Sequence, residues 1–569
     1  MKVIELRPDR SLLRSNFDGY KLSLEPVPLL RQELSDQCCP DRVKPTGDDN
    51  YSCLHAQLFG LQNHLVRDPW TSGSCYYVDR SCTVRRVQYC DDEGRLKPVS
   101  SVFKIVRKRE RVDGDYNCSL VFISERLALV GDGQSGLRIV ETGDRKRGDE
   151  WKGKFGYECE ELPEGGMILL DGRFEVVVGG ERQIHAVCAS IRRDESCFRT
   201  VLRWFKIVQS DASNEWKYHS LRVLEGRGFP WYCSLEVKST GLVMISDKPF
   251  SFVSDSETPF ERKEAEQNGT KPQENETTET ILFTWSQTVG DLTIKIPKEE
   301  GFSYRITNDN MILKVVRNET VVLDGESFYA KVDPELTSWT NETNELQITL
   351  FKANNSFWPF LFPGSPEESD PQRTEQDEEQ LPVSNITSQL EDCDFGIGGE
   401  EKEYVLERLD LATHEATHKA LLGSNAPLFN VTLRSGFPAA VALRNDVDAC
   451  VWLQQPGATD WSLRHEGTLH AFGYVQASKQ QRKFLACAPD MSYGIICEPE
   501  RHVFIYKSSY GIGASGLRNR SGPQVTIGQQ KLITLPEGTG EILGTSIENE
   551  YTILLTESHV LLLQLCIEE

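Results

Sequence analysis

No stretch of this 569-residue chain stays apolar for the roughly 20 residues that a membrane-spanning helix requires. The most hydrophobic run near the end, Val560 to Leu563 with Leu565, is only strand-sized. The first residues, Met1-Lys2-Val3-Ile4-Glu5-Leu6-Arg7, lack the apolar centre of a secretory signal, so a soluble cytoplasmic protein is expected. Signatures of common chemistry are missing too. There is no G-x-x-x-x-G-K-[ST] phosphate loop and no G-x-S-x-G nucleophile elbow. Cys75, Cys82 and Cys90 stand seven and eight residues apart and Cys38 and Cys39 are adjacent, so none offers the C-x₂₋₄-C pair that structural zinc favours. The sixteen cysteines are irregularly spaced, and without an export signal they read as reduced, mostly buried thiols.

Basic residues are also short, leaving a net charge of −23, but the deficit is local. Asp255 to Glu279 carries a net −5 and Glu367 to Glu403 a net −11. Both segments are rich in Glu, Gln, Pro, Ser and Thr and poor in large apolar residues, the composition of disordered linkers. The remainder is close to charge-balanced, which argues against a nucleic-acid partner. The expected division is 1–254, a linker 255–279, a module 280–364, a second linker 365–402, and a C-terminal region 403–569.

The two outer regions share one pattern of short β-rich runs punctuated by turn residues. Examples are Ser119–Ile123, Arg126–Val130, the turn Gly131-Asp132-Gly133, Leu137–Val140, Met167–Leu170, Phe174–Val178, Ile184–Ile191 and Val201–Val208. The pattern resumes after the module with Ala439–Leu443, Ala449–Leu453, Phe484–Cys487, His502–Tyr506 and Tyr551–Leu555. The expected fold class is all-β: a β-propeller-like domain built from both outer regions, of about seven blades, with the module inserted in one loop. The final run Val560 to Leu565 is expected to pair with an N-terminal strand and so remove sheet edges. The alternative is two separate β domains flanking the module.

Within the module, Leu292, Ile294 and Ile296 alternate with Thr293 and Lys295, and Leu313, Val315, Leu346, Ile348 and Leu350 repeat the pattern. Two packed antiparallel sheets follow. Asp324-Gly325 is a hairpin turn signal, and Trp285, Trp339 and Trp358 are expected to fill or edge the core. The run from Phe283-Thr284-Trp285-Ser286-Gln287-Thr288 through Gly325-Glu326-Ser327-Phe328-Tyr329-Ala330 and Thr337-Ser338-Trp339 to Trp358-Pro359 resembles a CS domain. This is the small p23-like β-sandwich shared by chaperone-associated proteins and the NudC family.

Three motifs invite other chemistry. His414-Glu415-Ala416-Thr417-His418 is a literal H-E-x-x-H, which on a helix binds zinc with the Glu as general base. Lys419 would set a cation beside the metal, and Leu421 stands where the extended motif wants Gly. The preferred reading is a surface helix or strand carrying two histidines. Gly131/Gly133/Gly136 and Gly511/Gly513/Gly516 match G-x-G-x-x-G, but the first precedes a strand and the second a loop, whereas a dinucleotide fingerprint needs a helix. The basic cluster Lys104, Arg107, Lys108, Arg109 and Arg111 reads first as a solvated strand end and second as a nuclear-import signal.

Segments outside the module carry the resemblance further: Cys75-Tyr76-Tyr77-Val78-Asp79, the run from Ala439-Ala440-Val441 to Asp448, Gly473-Tyr474-Val475-Gln476-Ala477-Ser478-Lys479 and Lys483-Phe484-Leu485-Ala486-Cys487-Ala488-Pro489. The chain is thereby identified as similar to the NudC family. The resemblance implies a non-enzymatic co-chaperone or adaptor of the cytoplasm and nucleus. Its implied partners are heat-shock chaperones, β-propeller or WD-repeat clients and dynein-pathway proteins. No cofactor, metal or catalytic residue is expected, and Lys295 and Lys314 are nominated as partner-binding positions on the module. The rival classes are a structural scaffold subunit and an enzyme, either a zinc hydrolase on His414 and His418 or a propeller hydrolase.

Overall fold

The computed structural model describes residues 1–44, 52–159, 165–193, 197–210, 214–260, 283–288, 290–297, 304–309, 312–317, 320–326, 328–341, 345–353, 358, 361, 402–455, 461, 463–479, 481–508, 517–518 and 524–565. The chain divides into two compact units, Met1–Ala265 with Lys402–Glu569, and Glu266–Glu401. The two outer regions therefore belong to one body, and the alternative of two flanking β domains does not apply.

The larger unit contains seven sheets among the described residues. Sheet I is Val66–Arg67, Ser74–Val78 and Thr83–Cys90, with Arg95–Leu96 and Ser100–Lys104 both paired to the third strand. Sheet II is Ser119–Phe122, Leu127–Gly131, Gly136–Glu141 and Lys152–Glu158. Sheet III is Ile168–Val176, Arg182–Arg193, Phe198–Gln209, Trp216–Gly226 and Phe250–Asp255. Sheet IV joins Pro230–Leu235 and Gly241–Ser246 to Tyr404–Asp410 and Ala416–Gly423, so hydrogen bonds between Gly241–Ser246 and Tyr404–Asp410 bridge the two sides of the insertion. Sheet V is Phe429–Val431, Ala440–Asn445, Asp448–Gln454 and Leu463–Leu469. Sheet VI is Phe484–Cys487, Tyr493–Cys497, His502–Lys507 and Gln524–Thr534, and sheet VII is Ile542–Ile547, Tyr551–Thr556 and His559–Gln564.

The N-terminal segment finishes the outer edges of three sheets. Lys2–Val3 runs parallel to Ala416–Gly423 in sheet IV, and Phe17–Leu22 parallel to Gln524–Thr534 in sheet VI. Leu29–Glu33 lies antiparallel to His559–Gln564 in sheet VII, the pairing anticipated for the final apolar run. Each pairing covers a row of backbone groups that would otherwise template aggregation.

Hydrophobic clusters fill the spaces between successive sheets. Tyr76, Val84, Phe122 and Val140 join sheets I and II; Leu129, Ile139, Ile184 and Phe205 join II and III. Trp204, Leu224, Leu242 and Met244 join III and IV, and Val243, Leu406, Val441 and Trp452 join IV and V. Val451, Phe472 and Ile496 join V and VI, Ile505, Leu554 and Leu561 join VI and VII, and Leu555, Leu562, Tyr77 and Val87 join VII back to I. A strand with a sheet packed on each face is buried at every position, as Gly241–Ser246 and Tyr551–Thr556 are. Each fully buried Leu, Ile or Val in such a strand contributes about 1.5–3 kcal/mol of transfer free energy. Buried ion pairs add register. Arg145 and Asp68, both fully buried, bond at 2.7 and 3.1 Å, and Arg145 also donates to Thr142 Oγ1 (2.9 Å) and the Ser124 carbonyl (3.1 Å), tying sheet I to sheet II.

Two strand expectations are corrected here. Met167–Leu170 and Phe174–Val178 were separate runs in the pattern, but Ile168–Val176 is one strand with a bulge between Leu169 and Asp171. The bulge shifts the alternation by one residue and so mimics a break. Asp255, expected to open a linker, is instead the last residue of Phe250–Asp255, the outer strand of sheet III, and Glu257 is held beside it.

The smaller unit is a β-sandwich. Thr284–Gln287, Asp291–Pro297, Glu345–Lys352 and Val332–Asn341 form one sheet in that order, and Tyr304–Asp309, Ile312–Arg317 and Thr320–Glu326 the other. Between them lie Trp285, Leu292, Ile294, Ile296, Leu313, Val315, Ile348 and Trp358. Asp324 and Gly325 are strand residues paired with Lys314 and Leu313, not a turn; the hairpin reverses between the paired Arg317 and Thr320. A local dipeptide signal has yielded here to the register that puts Leu313 and Val315 inside.

Candidate interaction surfaces

The module's tryptophans part company. Trp285 and Trp358 are 1% and 2% exposed and fill the core, whereas Trp339 is 58% exposed and lies at its edge. Trp339 sits on Val332–Asn341, the edge strand of the four-stranded sheet, opposite Ile348. Directly opposed residues share a face, so Trp339 extends the apolar inner face outward, where a three-stranded sheet faces a four-stranded one. Trp358 is fixed by an amide clamp: Gln287 Oε1 accepts from the Trp358 backbone N–H and Nε2 donates to its carbonyl, both at 2.7 Å. Lys352 Nζ, buried 5.7 Å from the Trp358 ring centroid, donates to Gln287 Oε1 at 2.8 Å and to the Thr288 carbonyl at 2.7 Å. Nothing in the periodicity marks Gln287 or Lys352, whose clamp depends on long-range placement.

Lys295 lies between buried Ile294 and Ile296 and pairs with Thr284 and Gln347, which places it on the polar outer face of the four-stranded sheet. Lys314 belongs to Ile312–Arg317 in the other sheet. The two nominated positions are thus on different sheets.

The H-E-x-x-H motif is not on a helix. His414 occupies the turn before Ala416–Gly423, with a left-handed φ of 56°, and His418 lies on that strand. His414 Nε2 bonds Asp255 Oδ2 at 2.9 Å, and its ring stacks on Phe260 with centroids 4.2 Å apart. His418 instead packs against Trp461. Among the described residues no three His, Cys, Asp or Glu side chains are grouped to hold a metal. The motif's first histidine belongs to a network at the base of the insertion. Arg222 bonds Asp255 (3.0 Å) and Glu257, and Glu257 also accepts from Lys206 (2.8 Å) and Ser220 (3.0 Å). Burial raises the Glu257 carboxyl, but hydrogen bonds from Lys206 and Arg222 outweigh it and hold it at about 2.

Gly131, Gly133 and Gly136 lie at the hairpin between Leu127–Gly131 and Gly136–Glu141, with Gly133 at φ 78°; a Cβ there would meet the Tyr116 carbonyl. Gly511, Gly513 and Gly516 lie outside the described residues. The arginines of the basic cluster are committed to carboxylates. Arg111 makes two 2.6 Å bonds to Asp41, Arg109 bonds Asp115 at 2.9 and 2.6 Å, and Arg107 lies 3.5 Å from Asp41. Beside them a cavity of about 140 Å³ is lined by residues including Lys44, His55, Phe59, Arg111 and Tyr116. Burial holds the His55 imidazole down to about 4, so it is neutral, and Nδ1 bonds Ser52 Oγ at 2.8 Å.

The sequence matches the CS domain family over residues 282–352. It is similar along nearly its whole length to NudC domain-containing protein 1 of Mus musculus, 30% identical over 98% of both chains. The Xenopus tropicalis counterpart is 30% identical over 97% of both. The nuclear movement protein nudC of Dictyostelium discoideum is 32% identical over 13% of this chain and 47% of that one. With a CS module set between two halves of a larger β unit and similarity running through all three parts, the chain belongs to the NudC domain-containing protein 1 family.

Proposed function

We propose that the protein is a non-enzymatic co-chaperone or adaptor of the NudC type, which engages a client or a chaperone through the exposed edge of its CS module. The observation that carries this reading is Trp339: a tryptophan 58% exposed on an edge strand, in a module whose other two described tryptophans are buried. Tryptophan is the residue most enriched among interface anchors, and its exposure costs solvation that a partner recovers. Supporting the reading further, the family resemblance runs through the whole chain. The larger unit, whose seven sheets pack in cyclic order, is read as a closed seven-bladed propeller offering a second broad face. Heat-shock chaperones and β-propeller or WD-repeat clients are the proposed partners, with dynein-pathway proteins as a further group. The proposed site of action is the cytoplasm, with the nucleus as second compartment.

The test is affinity purification of the full chain beside the Trp339→Ala variant. Loss of both client and chaperone from the variant, with its unfolding midpoint unchanged, is the expected result. An unchanged set of partners at fixed stoichiometry overturns the reading and favours a scaffold subunit.

A further inference from the structure

The larger unit covers strand edges with its own chain: Lys2–Val3, Phe17–Leu22 and Leu29–Glu33 each lie along the outer strand of a sheet. The CS module leaves one edge open. Among the described residues Val332–Asn341, its longest strand, pairs only with Glu345–Lys352. The two halves of that strand differ. Asp333 pairs with Phe351 and Ser338 with Thr349, so Pro334 to Thr337 stand against Leu350 alone. Thr337 Oγ1 donates to the Asp333 carbonyl at 3.2 Å across this bulge. A proline and a bulge are devices that stop a foreign strand from pairing. From Ser338 to Asn341 neither is present, and the register with Thr349 to Leu346 runs unbroken. In such a ladder alternate residues turn their N–H and C=O groups away from the paired strand. The exposed Trp339 lies in this second half, next to exposed Ser338.

Charge is one-sided here as well. The chain from Val332 to Phe351, which forms the edge strand and its neighbour, carries Asp333, Glu335, Glu342 and Glu345 and no lysine or arginine.

We propose that the Ser338–Asn341 half of this edge receives an extended, basic segment of a partner protein as a fifth strand of the four-stranded sheet, with one large apolar side chain of that segment laid on Trp339. Backbone pairing supplies the grip and is indifferent to sequence, while the indole and the acidic surroundings supply the selection. Pro334 and the bulge end the pairing on one side, so the added strand is short. A helical partner would leave the edge N–H and C=O groups unpaired, and an acidic one would meet like charge. The inference rests on the proposed contact through the module's edge and adds what the partner must present there.

Displayed random decapeptides selected on the full-length protein test it. The enriched sequences should set lysine or arginine on either side of a large apolar residue. A synthetic copy of one enriched peptide should bind Trp339→Ala about ten-fold more weakly, and should weaken as salt is raised, since exposed charges are screened. N-methylation of that peptide separates backbone pairing from side-chain contact. Methyl groups on one set of alternate residues should abolish binding, and on the other set should be tolerated, because only one set faces the edge. If both methylated peptides bind as the parent does, strand addition fails while Trp339 keeps its place as an anchor. If the parent binds a folded Trp339→Ala as well as wild type, the proposal fails whatever clients and chaperones the affinity purification recovers. No enrichment over the bare support, or enrichment of acidic sequences, overturns it too. The module's unfolding transition, recorded for Trp339→Ala in parallel, keeps lost binding apart from lost folding; should the variant unfold, the methylated pair decides alone.

Discussion

The CS module and the larger domain are both antiparallel β structure, but they bury their strands in different ways. In Asp291–Pro297 the residues Leu292, Ile294 and Ile296 are buried while Thr293 and Lys295 between them are not, because one face meets the opposing sheet and the other meets water. In Ile542–Ile547 and Tyr551–Thr556 every residue is buried, since sheets VI and I pack on the two faces of sheet VII. A one-sided sheet writes alternation into its sequence, and a two-sided one writes a continuous apolar run. The difference also separates what can be lost: the module has a single core, the larger unit seven that share strands.

The sharpest break of that comparison is Trp285→Ala. Removing a fully buried tryptophan costs about 3–5 kcal/mol, comparable with the whole stability of a small domain. The expected outcome is loss of the module's unfolding transition in calorimetry, with the larger unit's transition left in place. A single shifted transition would mean that the two units fold as one.

Arg145→Leu is the matching insult to the larger domain. It strands the Asp68 carboxylate in a fully buried site, at about 3–5 kcal/mol. Urea unfolding should show the larger unit's midpoint falling while the module's holds. Changing Asp68 to Leu as well should restore much of the loss, because the penalty lies in the unpaired charge rather than in the missing attraction. No recovery in the double variant would make packing of the guanidinium against Phe122, 4.6 Å from its ring centroid, the larger contribution.

A smaller effect concerns the network at the base of the insertion, and it depends on pH. The folded carboxyl of Glu257 sits at about 2, below its unfolded value of 4.5. Its contribution to stability is therefore complete above about pH 4.5 and is lost as pH falls towards 2. Glu257→Gln should flatten the larger unit's acid-unfolding curve across that window and lower its stability at pH 7. An unchanged acid slope would show that Lys206 and Arg222 do not hold this carboxylate in solution.

These same features explain what could be read in advance. The module's outline was legible because its strands alternate and its quoted segments resemble a CS domain. The N- and C-terminal regions were legible as β runs, and the pairing of the final run followed from the need to cover an edge. The order of sheets was not, since Lys2–Val3, Phe17–Leu22 and Leu29–Glu33 pair with strands more than 400 residues away and no local pattern encodes a partner at that distance. The H-E-x-x-H motif showed the opposite failure. Its spacing has meaning only on a helix, whereas a turn at His414 sends its two histidines to Asp255 and Trp461. The basic cluster looked solvent-facing because Asp41 and Asp115, which pair with its arginines, are contributed by other turns of the chain.

The smallest expected effect on stability comes from Trp339→Ala, which sets one tryptophan of the module against another. Substitutions at exposed sites outside special backbone positions usually fall within about 0.5 kcal/mol, so the module's transition should hardly move, in contrast to Trp285→Ala. The chemistry removed is the same indole; only its burial differs. If Trp339→Ala destabilises the module as Trp285→Ala does, the ring is closing the sandwich edge rather than presenting a surface, and the edge strand loses its claim as the contact for partners. If stability holds while partner recovery falls, the exposed indole acts only in the complex, as an interface anchor must.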